Sequence, residues 1–154
     1  MRLYIDPGTK KSGFVIKVAG KLWNAGKEDN HAILGRICNG CTDVILERPV
    51  SYRASADVDA TIVWYGRFVQ RAYSLGIPVG DLTRRQVLKS LFGRVPPNGK
   101  GIPTRDSLVI QEMRKIYTAP PRYGKLADDA WQALGLAEAY ERLERSDNLQ
   151  SYIR

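Results

Sequence analysis

The opening of the chain narrows the fold more than any other segment. Residues 2–6 (RLYID) and 12–18 (SGFVIKV) are short, β-rich apolar runs, separated only by Pro7-Gly8-Thr9-Lys10-Lys11. A gap that short, built from turn-forming residues, leaves no room for a crossover helix, so the two runs pair antiparallel as a hairpin. Residues 21–25 (KLWNA), after Gly20, extend the meander. The pattern then changes. Glu28-Asp29-Asn30 resembles a helix start, and Ile33 with Ile37 and Leu34 with Cys38 are i,i+4 pairs, which predicts a short helix over 29–38. Residues 43–47 (DVILE), closed by Pro49, form the next strand, and the helix before it permits a crossover that lays this strand parallel to the first.

Beyond Pro49 the period is helical. Ile62, Val63, Tyr65, Gly66, Val69, Ala72 and Tyr73 predict a helix over 59–75 that stops at Gly76, followed by a strand over 77–82. Thr83 is a good N-cap for a helix to about Phe92, and residues 95–103 (VPPNGKGIP) form a loop. A second capped helix runs from Thr104 to about Tyr117, a Pro-rich turn covers 119–124, and a last helix covers 126–145, with the final residues expected to fray. The order β-β-β-α-β-α-β-α-α-α implies an α/β fold with a mixed five-stranded sheet flanked by helices. With 154 residues the chain is expected to be a single domain, 1–154, able to bury a core.

Carboxylates stand where this fold would leave regular structure: Asp6 at the end of the first strand, Glu47 at the end of the fourth, Asp128 and Asp129 in the first turn of the last helix. Divalent magnesium or manganese needs hard oxygen ligands from separate elements, and two such ions can clamp the attacking and leaving oxygens of a phosphodiester. Parallel strands ending in Asp6 and Glu47 would present both at one sheet edge. Each acid also has an ordinary reading. Asp6 can start a turn, Glu47 can pair with Arg48, and the two aspartates can serve the helix dipole.

The net charge of +8 is concentrated. From Arg84 to Lys125 ten basic residues face two acids, so this segment holds the whole excess. Such a segment beside a neutral remainder is the footprint of a nucleic-acid-binding face, with Arg84, Arg85, Lys89, Arg94, Lys100 and Arg105 its first candidates. The alternative is a solvated surface that aids solubility. No apolar run approaches the roughly 18 residues of a membrane span, and Met1-Arg2 leads directly into a strand-like segment, so a soluble protein without a secretory signal is expected. Cys38 and Cys41 have CxxC spacing, but zinc needs four ligands and His31 is the only histidine. A reduced thiol pair in a cytoplasmic protein is the better reading.

These stretches together resemble a known family. Leu3-Tyr4-Ile5-Asp6-Pro7-Gly8-Thr9-Lys10-Lys11-Ser12-Gly13-Phe14 is similar to the opening strand and turn of RuvC-type Holliday junction resolvases of the RNase H-like superfamily, and Val44-Ile45-Leu46-Glu47 to the strand bearing their second carboxylate. Thr83 to Lys89 resembles their basic helix, Pro103 to Ser107 the start of the next, and Ala127 to Ala137 the last. The resemblance spans nearly the whole chain in order. It implies an RNase H-like fold and a homodimer that binds a four-way DNA junction and nicks two strands symmetrically. It further implies magnesium, replaceable by manganese, with two ions per site and no small-molecule cofactor. Asp6, Glu47 and Asp129 would be metal ligands, joined by Asp128 if that residue supplies a missing acid. Lys89 and Arg105 would help stabilise the scissile phosphate, and Tyr52 would stack on junction bases. The family's final helix usually bears two acids three residues apart, and from Asp129 that spacing reaches Gln132. The chain is also short between its opening strands and Glu47, which suggests a phage-encoded form acting in a bacterial host's cytoplasm. The opening residues Asp6 to Gly13 further resemble the phosphate loop of actin-like sugar and acetate kinases, but this length leaves no room for the second lobe those proteins need. An RNase H-type activity on hybrids and an inactive junction-binding module are the remaining alternatives.

Overall fold

A computed structural model describes residues 1–50, 55–117 and 126–146. Five strands form one sheet: β1 (Arg2–Asp6), β2 (Lys11–Val18), β3 (Lys21–Asp29), β4 (Asp43–Arg48) and β5 (Val79–Thr83). Five helices accompany them: α1 (Asn30–Arg36), α2 (Ala56–Ser74), α3 (Arg84–Phe92), α4 (Arg105–Ile116) and α5 (Asp128–Arg145). The element order is the one the sequence predicts. Across the sheet the strands run β3-β2-β1-β4-β5. The hairpin registers Asp6 against Gly13, and β1 pairs parallel with β4, Ile5 opposite Leu46. One step further along both strands lie Asp6 and Glu47.

The sheet is covered on both faces, as alternation along its strands requires. Tyr4, Val15, Ile45 and Leu82 meet α3, α4 and α5 on one face, while Leu3, Ile5, Phe14, Val44 and Leu46 meet α1 and α2 on the other. Asp6 and Glu47 fall on the face of Tyr4 and Ile45, and so look toward α5. That helix is buried nearly all round from Ala130 to Ala137, because it lies between the sheet and the α3–α4 pair.

Several boundaries moved from their predicted positions. Strand β3 extends to Asp29 rather than Ala25, since β2 offers a pairing partner down to Lys11. Helix α1 is shorter than expected: Asp29 is its N-cap, accepting from the His31 amide, and it ends at Arg36. Helix α2 starts earlier, at Ala56, because Ser55 caps it by accepting from Val58. The two threonine caps stand where the sequence puts them. Thr83 forms a capping box with Gln86, and α3 ends on Gly93 in the left-handed region (φ 72°), which favours glycine. Thr104 caps α4. The predicted turn at 119–124 and the fraying tail lie outside the described residues. Cys38 and Cys41 are free thiols, and Cys41 donates to the carbonyl of Arg36.

The aromatic residues Trp64, Tyr65 and Phe68 of α2 turn toward the sheet. Phe68 is fully buried, Trp64 and Tyr65 pack on the same cluster, and the Tyr65 hydroxyl donates to buried Asp81 at 2.6 Å. The exposed apolar side chains of this helix are Ile62, Val63 and Tyr73.

Candidate active site

The site is built at the carboxyl ends of β1 and β4. The turn after Asp6 is held from inside by two fully buried polar residues, Ser12 and Asn30. Ser12 Oγ accepts from the Gly8 amide at 3.1 Å and donates to Asn30 Oδ1 at 2.5 Å, while Asn30 Nδ2 donates to the Gly8 carbonyl at 3.0 Å. This clamp fixes where the chain turns and therefore where Asp6 ends its strand. Gly13, opposite Asp6, plays a second part. A Cβ there would lie 2.0 Å from the Asp129 carbonyl oxygen, so only glycine lets the first turn of α5 approach β2 this closely.

Asp6 and Glu47 thus meet side by side in a poorly solvated place. Burial, and then the neighbouring charge of Glu47, push the Asp6 carboxyl well above the usual range, with Asp129 and Asp106 adding to the effect and Arg84 opposing it. Burial raises Glu47 also, against the pull of Arg84. Among the described residues no hydrogen bond or ion pair reaches the Asp6 carboxylate, whereas every other acid of the group has a cation. The Arg84 guanidinium donates to Glu47 Oε2 at 3.4 Å, to Asp106 Oδ1, and to Gln132 Oε1 at 2.5 Å. Asp129 is bridged to Lys27 on β3. Gln132, one turn along α5, is 7% exposed and completes the arrangement by donating Nε2 to the Asp106 carbonyl at 3.2 Å.

Several residues sit differently from expectation. Arg84, expected to face DNA, has its head group in the acid cluster. Glu47 does not pair with Arg48: successive strand residues point to opposite faces, and Arg48 lies 3.8 Å from Asp81 on the other side. Asp128 is exposed, and it is the charge of Asp129 that acts on Asp6. Lys89 is exposed on α3 and does not line the groove over the cluster. Tyr52 lies outside the described residues. Asp106, Lys27, Ser12 and Asn30 were not singled out by the sequence. Ser12 and Asn30 had one signal, polarity at positions that a strand and a helix start bury; Asp106 and Lys27 had none.

Of these acids Glu47 borders an open groove of about 910 Å³. Its lining includes Glu47 together with Arg48, Arg84, Arg85, Arg94 and Arg105, and apolar Val50, Leu88, Val95 and Pro96. Arg105 donates from Nε to the Pro96 carbonyl at 2.9 Å, which ties α4 to the loop of residues 95–103. Lys100 is exposed on that loop. The groove therefore sets the Glu47 carboxylate among guanidinium groups.

Among the described residues no three His, Cys, Asp or Glu side chains are gathered closely enough to hold an ion between them. The donor chemistry nevertheless fits a hard divalent cation. Two adjacent, half-buried carboxylates repel each other, and one has no direct cationic partner among the described residues, which is the electrostatic condition a bound cation relieves. Asp6 and Glu47 form that pair, and Asp129 is the third oxygen donor whose charge reaches it.

No protein-family model matches the sequence, and no curated protein matches it. Solved structures do. Thermus thermophilus RuvC is similar over 95% of this chain and 96% of its own, with 19% identity and a TM-score of 0.64. The T. thermophilus RuvC in complex with a Holliday junction substrate is similar over 99% of this chain and 97% of its own, with 20% identity and a TM-score of 0.65. The described residues therefore share the RuvC, RNase H-like fold.

Proposed function

We propose that the chain is a metal-dependent endonuclease that resolves four-way or other branched DNA junctions, acting as a homodimer in the cytoplasm. The observation that carries this reading is the Asp6–Glu47 pair, in which Asp6 has no direct partner among the described residues and Glu47 opens into an arginine-lined groove. The likeness, over 99% of the chain, to a RuvC in complex with a Holliday junction substrate supports the choice of substrate. No described helix is long and apolar enough to cross a membrane.

Asp6, Glu47 and Asp129 would hold magnesium, with manganese as a substitute; Asp128 points to solvent and is not assigned a ligand role. A bound divalent ion supplies Lewis-acid activation of water and charge neutralisation at the phosphate. The chain's own residues do the remainder. Arg85, Arg94 and Arg105 line the approach and match phosphate oxygens with their planar forks. Arg105 is held toward the groove through its bond to Pro96, so its charge is placed before substrate arrives.

The test is cleavage of a synthetic four-way junction, a linear duplex and a DNA–RNA hybrid in magnesium, each with wild type and Asp6→Asn. Junction cleavage is expected to dominate, and the variant should lose at least about a hundredfold in rate. Cleavage of the hybrid alone would replace this reading with an RNase H activity. Tight junction binding without cleavage in either metal would make the chain a binding module. Binding should weaken steeply with added salt, and a flat response would remove the groove arginines from the interface.

A further inference from the structure

Arg84 is one of five arginines lining the groove, yet its guanidinium makes three contacts within the acid cluster. Its backbone is fixed as the first residue of α3, directly after the Thr83 capping box. A guanidinium is a permanent cation, and these bonds hold it within the cluster. Gln132 receives it. An aspartate or glutamate at this position would add a negative charge facing Asp6 and Glu47, whereas the amide is neutral and has both ends committed, Oε1 to Arg84 and Nε2 to the Asp106 carbonyl.

The charges favour one ion. Fully ionised, as ligation requires, four carboxylates (Asp6, Glu47, Asp106, Asp129) face two cations (Arg84, Lys27), which leaves two negative charges. A single divalent ion brings that group to neutrality, or to one positive charge if water fully screens the exposed Asp106. A second would add two positive charges with no acid left to receive them, and any ion drawing on Glu47 Oε2 would face a guanidinium 3.4 Å from that oxygen. We infer that Arg84, seated on Gln132, takes the place of a second metal ion, so that the active site works with one divalent cation and a resident guanidinium.

This rests on the nuclease reading above, and manganese binding to the DNA-free, full-length chain separates the two. Mn2+ is titrated while the free ion is followed by electron paramagnetic resonance and the heat by calorimetry. Wild type, Arg84→Lys and Gln132→Asp are each expected to bind a single ion, the last because the new carboxylate still meets Arg84. The double variant Arg84→Met/Gln132→Asp, which removes the cation and adds an acid, is expected to bind two. Two ions on wild type overturn the inference and leave the nuclease reading intact. A single ion on a double variant with native circular dichroism and a cooperative melt also overturns it. No binding to wild type defeats both. Should the double variant fail to fold, the wild-type and Gln132→Asp stoichiometries still decide, since two ions on either one refute a role for Arg84.

Discussion

The two ends of the sheet are both charged, and they use charge differently. At the amino ends of β1 and β4, Arg2 binds Asp43 through two bonds of 2.6 and 3.0 Å and Glu144 at 2.5 Å. Beside it Lys17, 5% exposed, meets Glu141 at 2.7 Å, and the same carboxylate accepts from Tyr4 at 2.9 Å. Every acid there has a cation or hydroxyl. Burial acts to lower the Arg2 pKa, but its bonds to Asp43 and Glu144 outweigh that and raise it, as a closed network does. At the carboxyl ends the count of opposite charges falls short. Arg84 and Lys27 serve Glu47, Asp106 and Asp129, and Asp6 is left with a raised carboxyl and no partner among the described residues. One end is satisfied by the chain itself, so it fixes structure. The other needs something from outside, so it can bind and react.

The largest expected effect comes from Gly13→Ala. The added methyl would meet backbone, the Asp129 carbonyl, which cannot move like a side-chain tip, so α5 must shift away from β2. A loss of about 2–3 kcal/mol in urea unfolding is expected, together with loss of junction cleavage in the folded fraction. Full activity in the alanine variant would mean that the placement of Asp129 against Asp6 is unimportant.

Arg2→Met breaks the opposite end. It should cost about 2 kcal/mol, above the ~1 kcal/mol of exposed pairs and below the ~3–5 of fully buried ones, because Arg2 is half-buried. Cleavage per folded molecule should be unchanged, measured as rate against the native fraction. A fall in rate without a fall in stability would show that the two ends are coupled.

The smallest effect is a pH dependence. The folded-state pKa of Asp6 is raised, so between the ordinary carboxylate range and that raised value the folded chain keeps a proton that the unfolded chain has released. Stability therefore declines as pH rises through this window and levels off above it. With chelator present, the wild-type melting temperature should fall across the window and that of Asp6→Asn should fall less. Added Mg2+ should raise the wild-type value most at neutral pH. Equal slopes for the two proteins would show that Asp6 is not the strained group.

The positions of Asp6 and Glu47 were legible because they depend on short-range chemistry. A turn of Pro7 and Gly8 ends the first strand, Pro49 closes the fourth, and a helix between strands permits the parallel register that sets the two acids side by side. Thr83 and Thr104 announced their helices for the same local reason. Lys89 and Asp128 were less well placed by sequence, since a basic segment or an acidic first turn does not say which side chain faces inward.

The sequence by itself therefore determined the order of elements, the caps, the hairpin and the strand ends at which carboxylates stand, because periodicity and turn chemistry act over a few residues. Only the tertiary structure decided which cation each acid meets. Arg84 reaches Glu47 from 37 positions away and Gln132 from 48, and Lys27 on β3 reaches Asp129 on α5. Those pairings follow from how α3, α4 and α5 pack on the sheet and from the close approach that Gly13 permits, and no local pattern encodes them.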